Sequence, residues 1–174
     1  MPVIHGEMQD YPLTLDKFLD HGAKWHGHVE VVTAREDGGT DRASYAGLRE
    51  RSCKVSAVLA GLGVGIGDRV ATLAWNTQAH FEAWFAVVGM GAVCHTLNPR
   101  LSEAHLAAMV DASEPRVLVV SADLLPLAHR IAALTDHLES ILVIDGVVDR
   151  NDVPVRIEAL EPLLAAARGV VPWG

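Results

Sequence analysis

Apolar positions in the middle of the chain alternate between short continuous runs and longer stripes with helical spacing. The runs predict four strands, at residues 68–75, 92–97, 116–121 and 140–145. The stripes predict four helices, at residues 45–62, 77–90, 102–112 and 124–134. Strands that are apolar throughout and alternate with helices are typical of βαβ units, in which helices cover both faces of a parallel sheet. The pattern therefore predicts an α/β fold with a doubly wound, mainly parallel sheet.

The chain on either side of this region has a different pattern. Residues 13–25 predict a short amphipathic helix, and residues 29–45 predict a β-hairpin around a polar turn at 36–41. After residue 145 a polar, turn-rich stretch precedes a predicted helix at residues 157–168. We accordingly divide the chain into an N-terminal helix and hairpin (1–45), a βαβ sheet subdomain (46–145) and a connecting tail (146–174).

Short polar residues precede several predicted helices, where a side-chain oxygen can accept a hydrogen bond from a free backbone N–H of the first turn. Thr14, Asn76 and Ser102 are the predicted N-caps of the helices that follow them. The first helix also carries an apolar face that needs a covering surface. Its own domain or a second copy of the chain can supply that surface, so a homodimer stays open. This face consists of Leu15, Phe18, Leu19 and Trp25.

Composition and charge narrow the class of protein. Half of the residues are hydrophobic and 21% are charged, which is typical of a globular domain. The net charge of −8 argues against nucleic acid as a partner, because phosphate backbones are bound by basic surfaces. Cys53 and Cys94 lack CxxC spacing, which indicates a reduced, intracellular protein. We expect a cytoplasmic protein without an integral membrane segment, because no apolar run reaches roughly 18 residues and the N-terminus lacks a signal-peptide pattern.

The sequence lacks the motifs of common catalytic and binding sites. The glycine run at 61–67 follows a helix and precedes a strand, the reverse of the order in a dinucleotide-binding fingerprint, so we interpret it as a helix terminator and tight loop. His21, His26 and His28 lack a carboxylate or thiolate at ligand spacing, which favours surface histidines over a metal site. Neither a GxSxG nor a GxxxxGK[ST] motif occurs. The sequence therefore predicts no catalytic, cofactor-binding or metal-binding residue.

Residues 87–101 are the most informative stretch for a site. A predicted buried helix ends in glycines, a short strand then presents His95 and Thr96 outward, and the sequence Asn-Pro-Arg at 98–100 turns the chain. This turn lies at the carboxyl end of a strand, where doubly wound folds bind ligands. Two interpretations stay open: a pocket wall formed by this stretch, or a structural turn in which Arg100 pairs with a nearby acid. We favour the structural turn over a direct catalytic role.

Three segments resemble the N-terminal part of the acyl-CoA synthetases, which are adenylate-forming enzymes. Residues 43–48 (ASYAGL) resemble the entry into the family's first long helix, although Gly47 replaces the usual acid. Residues 62–71 (LGVGIGDRVA) match a helix–loop–strand of the family. Residues 89–101 (GMGAVCHTLNPRL) closely match a segment typical of the medium- and long-chain fatty-acid branch. With further likenesses at 74–77 and 142–145, the resemblance covers nearly the whole chain.

The resemblance implies a fatty-acid–CoA ligase. A fatty-acid carboxylate and ATP give an acyl-adenylate and pyrophosphate, and the thiol of coenzyme A then displaces AMP. ATP, Mg²⁺ and coenzyme A are the implied cofactors of a complete enzyme. The family's phosphate loop, adenine-binding segment, ribose-binding aspartate and C-terminal lysine have no match in residues 1–174, so no catalytic residue carries over. We therefore expect a ligase fragment that is inactive alone, with a hairpin whose open edge favours self-association.

Two other interpretations compete with a ligase fragment. One is a stand-alone, non-enzymatic α/β interaction module. The other is a nucleotide-binding domain of flavodoxin-like type. The missing phosphate loop weighs against the nucleotide-binding domain, and the unterminated pattern after residue 145 favours a fragment over a stand-alone module.

Overall fold

The computed structural model describes residues 11–35, 37–146, 148, 155–169 and 171–174. Its strands are β1 (Glu30–Ala34), β2 (Thr40–Ser44), β3 (Arg69–Leu73), β4 (Val93–Thr96), β5 (Val117–Val120), β6 (Ser140–Val143) and β7 (Arg156–Ala159). Its helices are α1 (Asp16–Trp25), α2 (Tyr45–Gly61), α3 (Gln78–Gly89), α4 (Glu103–Ser113), α5 (Leu125–Ala132) and α6 (Leu160–Ala166). A 3₁₀ turn at Ala122–Leu124 precedes α5.

Five parallel strands form the main sheet, in the order β4–β3–β5–β6–β7. The chain moves from β3 to one side to form β4 and then to the other side to form β5. The carboxyl ends of β3 and β5 therefore border a topological switch point, which is where open α/β sheets bind ligands. Strands β1 and β2 form a separate antiparallel hairpin. This arrangement confirms the predicted α/β fold with a doubly wound, parallel sheet.

Hydrophobic cores lie on both faces of the sheet. Successive side chains of a strand point to opposite faces, and β5 shows this directly. Val117 and Val119 pack with residues of α2, α3 and α6, whereas Leu118 and Val120 pack with residues of α4 and α5. All four side chains are buried. Because β5 is covered on both faces, its sequence reads as a continuous apolar run.

A buried ion pair joins helices on one face. Glu82 of α3 is fully buried, and its two carboxylate oxygens accept hydrogen bonds from Arg51 Nε of α2 at 3.0 and 2.9 Å. Gln78 Nε2 donates to the same carboxylate at 2.8 Å. Arg51 also donates to Glu161 of α6 at 2.6 Å. A charge this deeply buried is tolerated because it is paired and hydrogen-bonded, so these contacts tie α2, α3 and α6 together.

The last strand and helix differ from the prediction of one helix at 157–168. Residues 156–159 form strand β7, which pairs in parallel with β6, with Ile157 opposite Ile141. The helix α6 begins only at Leu160. A segment of four residues with mixed charged and apolar side chains is too short to show a strand periodicity. Its conformation depends on hydrogen bonds to β6, a separate segment of the chain.

Two of the three predicted N-caps are wrong. Leu15, not Thr14, occupies the N-cap position of α1 and makes no side-chain cap. Thr77, not Asn76, caps α3, because its hydroxyl accepts a hydrogen bond from the backbone N–H of His80 at 3.4 Å. A tight turn closed by the hydrogen bond from Thr77 N to Trp75 O moves the start of α3 one residue along. Ser102 caps α4 as predicted.

Candidate functional site

A cavity of about 870 Å³ opens at the carboxyl ends of β3 and β4. It lies between β1 of the hairpin, the first half of α3 and the turn that follows β4. Much of its wall is aromatic or apolar: Trp75, Phe81, Trp84, Phe85, Leu97 and Pro99. The Phe85 ring lies 4.8 Å from the Phe81 ring and 4.9 Å from the Trp84 ring, so the aromatic side chains form one packed surface. We call this the switch-point cavity because it borders the carboxyl end of β3, one of the two strands at the switch point.

The turn after β4 supplies the polar rim of the switch-point cavity. Asn98 Oδ1 accepts a hydrogen bond from the backbone N–H of Arg100 at 3.0 Å, and Asn98 O accepts one from Leu101 N at 3.1 Å. These two bonds define a tight turn of the kind that asparagine favours. Arg100 is exposed at the cavity rim. Among the described residues no carboxylate lies within 4.0 Å of its guanidinium, so none of them forms the predicted pair with Arg100.

His95 and Thr96 face different surroundings. Thr96 lines the switch-point cavity together with the following turn. His95 instead bonds through Nδ1 to Ser113 Oγ, 2.7 Å away at the end of α4. Adjacent residues of a strand point to opposite faces, so the two side chains cannot share one site. The pocket-wall interpretation therefore holds for Thr96 to Arg100 and is wrong for His95.

His80 is a site residue that the sequence did not reveal. Its Nδ1 lies 3.1 Å from the carbonyl oxygen of Trp75, and its Nε2 lies 3.0 Å from Thr72 Oγ1. A carbonyl can only accept, so Nδ1 carries the proton and Nε2 accepts from the Thr72 hydroxyl. Burial lowers the pKa of His80 because it disfavours the charged ring, and the bond to Trp75 opposes this only in part. His80 is therefore a neutral ring that fixes the end of β3 beneath the cavity.

Cys94 lies in the neighbouring strand and is not a reactive thiol. Burial raises the pKa of Cys94 to about 11, against a smaller opposing effect of Thr72. The thiolate is the nucleophilic form of cysteine, and at neutral pH this side chain remains a thiol. Cys94 therefore packs against the core on the face covered by α2, α3 and α6 and has no chemical role.

A second cavity, of about 730 Å³, lies at the carboxyl ends of β3, β5 and β6. Trp75 lines both cavities. Its indole Nε1 donates to Asp123 Oδ2 at 2.8 Å and its backbone N–H donates to Ser121 Oγ at 3.3 Å. The indole of Trp75 is thus fixed by Asp123 and separates the two cavities. The charged side chains of the second cavity are mostly acidic: Asp41, Glu82, Asp123, Asp145 and Glu161, with Arg35 and Arg51.

This second cavity is a poor place for a triphosphate. Arg35 pairs with Asp41 at 2.8 Å, and Arg51 pairs with Glu82 and Glu161. Both cations are therefore already neutralised, and the surplus of carboxylates repels phosphate. Within the described ranges no group of three or more His, Cys, Asp or Glu side chains could hold a metal ion. The residues around this cavity thus fit neither ATP nor its Mg²⁺ by themselves.

The remaining motifs have ordinary structural roles. The glycine run at 61–67 ends α2 and leads into β3, as interpreted from the sequence. The rings of His21 and His26 lie 5.9 Å apart near the end of α1. None of the helices in the described ranges has both the length and the apolar character needed to cross a membrane.

Comparisons with known proteins identify relatives of this fold and sequence. The chain is 36% identical over 136 residues to a 3-methylmercaptopropionyl-CoA ligase of Ruegeria lacuscaerulensis, covering 78% of this chain and 25% of that protein. It is 42% identical over 138 residues to a long-chain-fatty-acid–CoA ligase of Thermus thermophilus, covering 79% of this chain and 26% of that protein. The chain therefore spans about a quarter of the length of these relatives.

The fold and the sequence family of this chain agree with these relatives. The fold is similar to that of the anthranilate CoA ligase AuaEII bound to anthranoyl-AMP, with a TM-score of 0.78 at 19% identity, over 96% of this chain and 31% of that one. The family described as AMP-binding enzyme matches residues 18–166. The resemblance to acyl-CoA synthetases is thereby confirmed, and the chain belongs to the AMP-binding enzyme family.

Proposed function

We propose that this chain supplies the N-terminal subdomain of an ATP-dependent fatty-acid–CoA ligase with medium- or long-chain substrates. The observation that carries the proposal is the 42% identity to a long-chain-fatty-acid–CoA ligase. A medium-chain-fatty-acid–CoA ligase of Ectopseudomonas oleovorans, 33% identical over 126 residues, supports the same substrate class. The segment at 89–101, which carries the resemblance to that branch, ends in the turn that rims the switch-point cavity.

The proposed reaction has two steps. A fatty-acid carboxylate attacks ATP to give an acyl-adenylate and pyrophosphate, and the thiol of coenzyme A then attacks the acyl carbon and releases AMP. Such chemistry needs fixed positive groups around the triphosphate, because charge develops there in the transition state. Arg35 and Arg51 are both paired with acids, so they do not supply that charge. We therefore propose that residues 1–174 alone do not form the adenylate.

The switch-point cavity suits an amphiphilic anion. Its aromatic wall can cover an apolar body, and Arg100 at its rim is an exposed guanidinium that lies in no ion pair among the described residues. Arginine forms strong, charge-assisted hydrogen bonds with carboxylates and phosphates. A fatty-acid carboxylate and the phosphates of coenzyme A both present this chemistry. We propose that this wall contacts one of these two substrates of the ligase reaction.

Titration calorimetry of the chain with laurate and, separately, with coenzyme A tests this role. One ligand should bind, and Arg100→Gln should weaken that binding about tenfold or more, the size expected for one charge-assisted hydrogen bond. The matched control is Arg42→Gln, because Arg42 lies on β2 and pairs with Glu30 at 2.9 Å. Binding that Arg42→Gln weakens as much as Arg100→Gln would contradict a site at this cavity, and the identity of the binding ligand separates the two sources of the anion.

A further inference from the structure

A slot for an indole ring lies between α2 and α3, away from both cavities. Arg49 and Ser56 of α2 and Gly89 of α3 form it, and Trp173 occupies it. The Arg49 guanidinium lies over the Trp173 ring, 4.1 Å from its centroid. A Cβ placed on Gly89 would fall inside the van der Waals contact distance of three ring carbons of Trp173. We call these three residues the indole slot, and residues 171–174, which bring the tryptophan to it, the strap.

The polar atoms of the indole slot are matched to a tryptophan. Trp173 Nε1 donates to Ser56 Oγ at 3.0 Å. Ser56 is fully buried, and its hydroxyl lies 2.9 Å from the carbonyl oxygen of Ala86 on α3 and 3.1 Å from that of Ser52 on α2. The hydroxyl can donate its one proton to either carbonyl and keeps a lone pair that accepts from the indole N–H. Stacking under a guanidinium, a hydrogen bond at the ring nitrogen and a glycine floor together favour an indole over other side chains.

The strap also reaches α1. Gly174 lies beside the start of this helix, since a Cβ on it would be 3.0 Å from Lys17 Nζ and 3.8 Å from Asp16 Oδ2. Asp16 is only 1% exposed. Arg49, which covers the indole, also forms an ion pair with Asp20 of α1. The docked tryptophan therefore holds the guanidinium that binds α1.

We propose that the indole slot is an intramolecular docking site specific for a tryptophan side chain, and that Trp173 docked there holds α1 on α2 and α3. On the apolar face of α1, Leu19 is buried whereas Phe18 is 73% and Trp25 63% exposed. Helices this short are marginal without tertiary contacts. The strap supplies two such contacts, through Arg49 to Asp20 and through Gly174 to the first turn.

A double-mutant cycle on the full chain tests the docking. Alanine is the better helix former, so Gly89→Ala alone would stabilise α3 if its Cβ met nothing. With Trp173 present we expect Gly89→Ala to increase the unfolding equilibrium constant, because the Cβ expels the ring. In a Trp173→Ala background the same change should decrease that constant. The matched control is Gly61→Ala, since a Cβ on this helical glycine would meet no atom within 4 Å. It should have the same effect in both backgrounds.

Hydrogen exchange provides the second readout. Amides of α1 should exchange at least tenfold faster in Trp173→Ala than in the unmodified chain, and the Trp173 indole N–H should be protected in the unmodified chain. An effect of Gly89→Ala with the same sign in both backgrounds, or α1 exchange that Trp173→Ala leaves unchanged, would overturn the proposal. The indole measurement needs no variant, and an unprotected Trp173 N–H would overturn the proposal even if Trp173→Ala fails to fold.

Discussion

His80 shows how one side chain connects the core to the switch-point cavity. Its ring bonds to Thr72 within β3 and to the carbonyl of Trp75, which lies just beyond that strand. In the neutral ring Nδ1 carries the proton and donates to the Trp75 carbonyl, and Nε2 accepts from the Thr72 hydroxyl. A second proton on Nε2 would have to face the Thr72 hydroxyl, which would then lose its acceptor. The protonation state of the His80 ring therefore affects the hydrogen bonds to Thr72 and Trp75 beside the switch-point cavity.

The stability of the chain should fall as the pH falls through the normal range of histidine. Burial lowers the pKa of His80 in the folded state, so between the folded and unfolded pKa values the unfolded chain binds the additional proton. The contribution of His80 to the free energy of unfolding is thus fully present above about pH 6.5 and decreases below it, by at most about 1.4 kcal/mol per pH unit for one proton.

Urea unfolding between pH 5 and pH 8 checks this expectation. His80→Gln keeps a donor and an acceptor but cannot be protonated, so it should remove part of the dependence on pH. His28 is exposed, and His28→Gln serves as the control. Equal slopes for the unmodified chain and His80→Gln would show that the ring does not titrate as this geometry requires.

Residues differ in how well the sequence predicted their roles, for a physical reason. The turn at Asn98 was predictable, because its hydrogen bonds join residues two and three positions apart. The role of His80 was not predictable, because its partner Thr72 lies in the preceding strand, β3, and only the fold brings the two side chains together. The sequence contained one signal for this role, the position of His80. It lies in the first turn of the helix that follows a buried strand, and such a turn is at the ligand-binding edge of the sheet.

The hairpin and α3 together enclose the switch-point cavity. Thr33 of β1 lines it, and its Oγ1 accepts a hydrogen bond from the backbone N–H of Gln78 at 2.9 Å. Gln78 is the first residue of α3, where backbone N–H groups lack partners within the helix. Thr33 thus satisfies a free N–H of a helix that is distant in sequence, and this contact holds one wall of the cavity against another.

Thr33→Val should release the hairpin from α3. Valine is close to threonine in shape but cannot accept the Gln78 N–H, so we expect a loss of about 1 kcal/mol in the free energy of unfolding. Hydrogen exchange of β1 and β2 amides should become faster than in the unmodified chain. Thr40→Val is the matched control, since Thr40 is exposed on β2. Unchanged exchange in Thr33→Val would refute the role of this contact.

Elements with strong internal patterns were predicted well, and short edge elements were not. The sequences of β3, β5 and β6 are mostly apolar because both faces of these strands are buried, so the hydrophobic pattern alone predicts them. Strand β7 has one neighbour and a burial pattern that is exposed at Arg156 and intermediate at the other three residues. Its conformation depends on pairing with β6, a contact that local sequence does not encode.

At the scale of the described residues as a whole, the sheet has open cavities at its ligand-binding edge, and the two arginines that line the second cavity are both paired with acids. The family of the chain is that of AMP-binding enzymes, and the chain spans about a quarter of the length of its relatives. The sequence predicted this architecture. It could not predict the acidic lining of the second cavity, because Asp41, Asp123 and Glu161 come together only through the fold. A cytoplasmic location, the homodimer and self-association through the hairpin edge stay predictions.

Fatty-acid-dependent exchange between pyrophosphate and ATP tests the central proposal most directly. The assay compares residues 1–174 alone with a chimera in which this chain replaces its matching 138 residues in the Thermus thermophilus long-chain-fatty-acid–CoA ligase. We expect no exchange by the chain alone and laurate- or palmitate-dependent exchange by the chimera, because the rest of the chimera would supply the fixed positive groups that this reaction needs around the triphosphate. Exchange by residues 1–174 alone, or a folded chimera that shows none, would contradict the account.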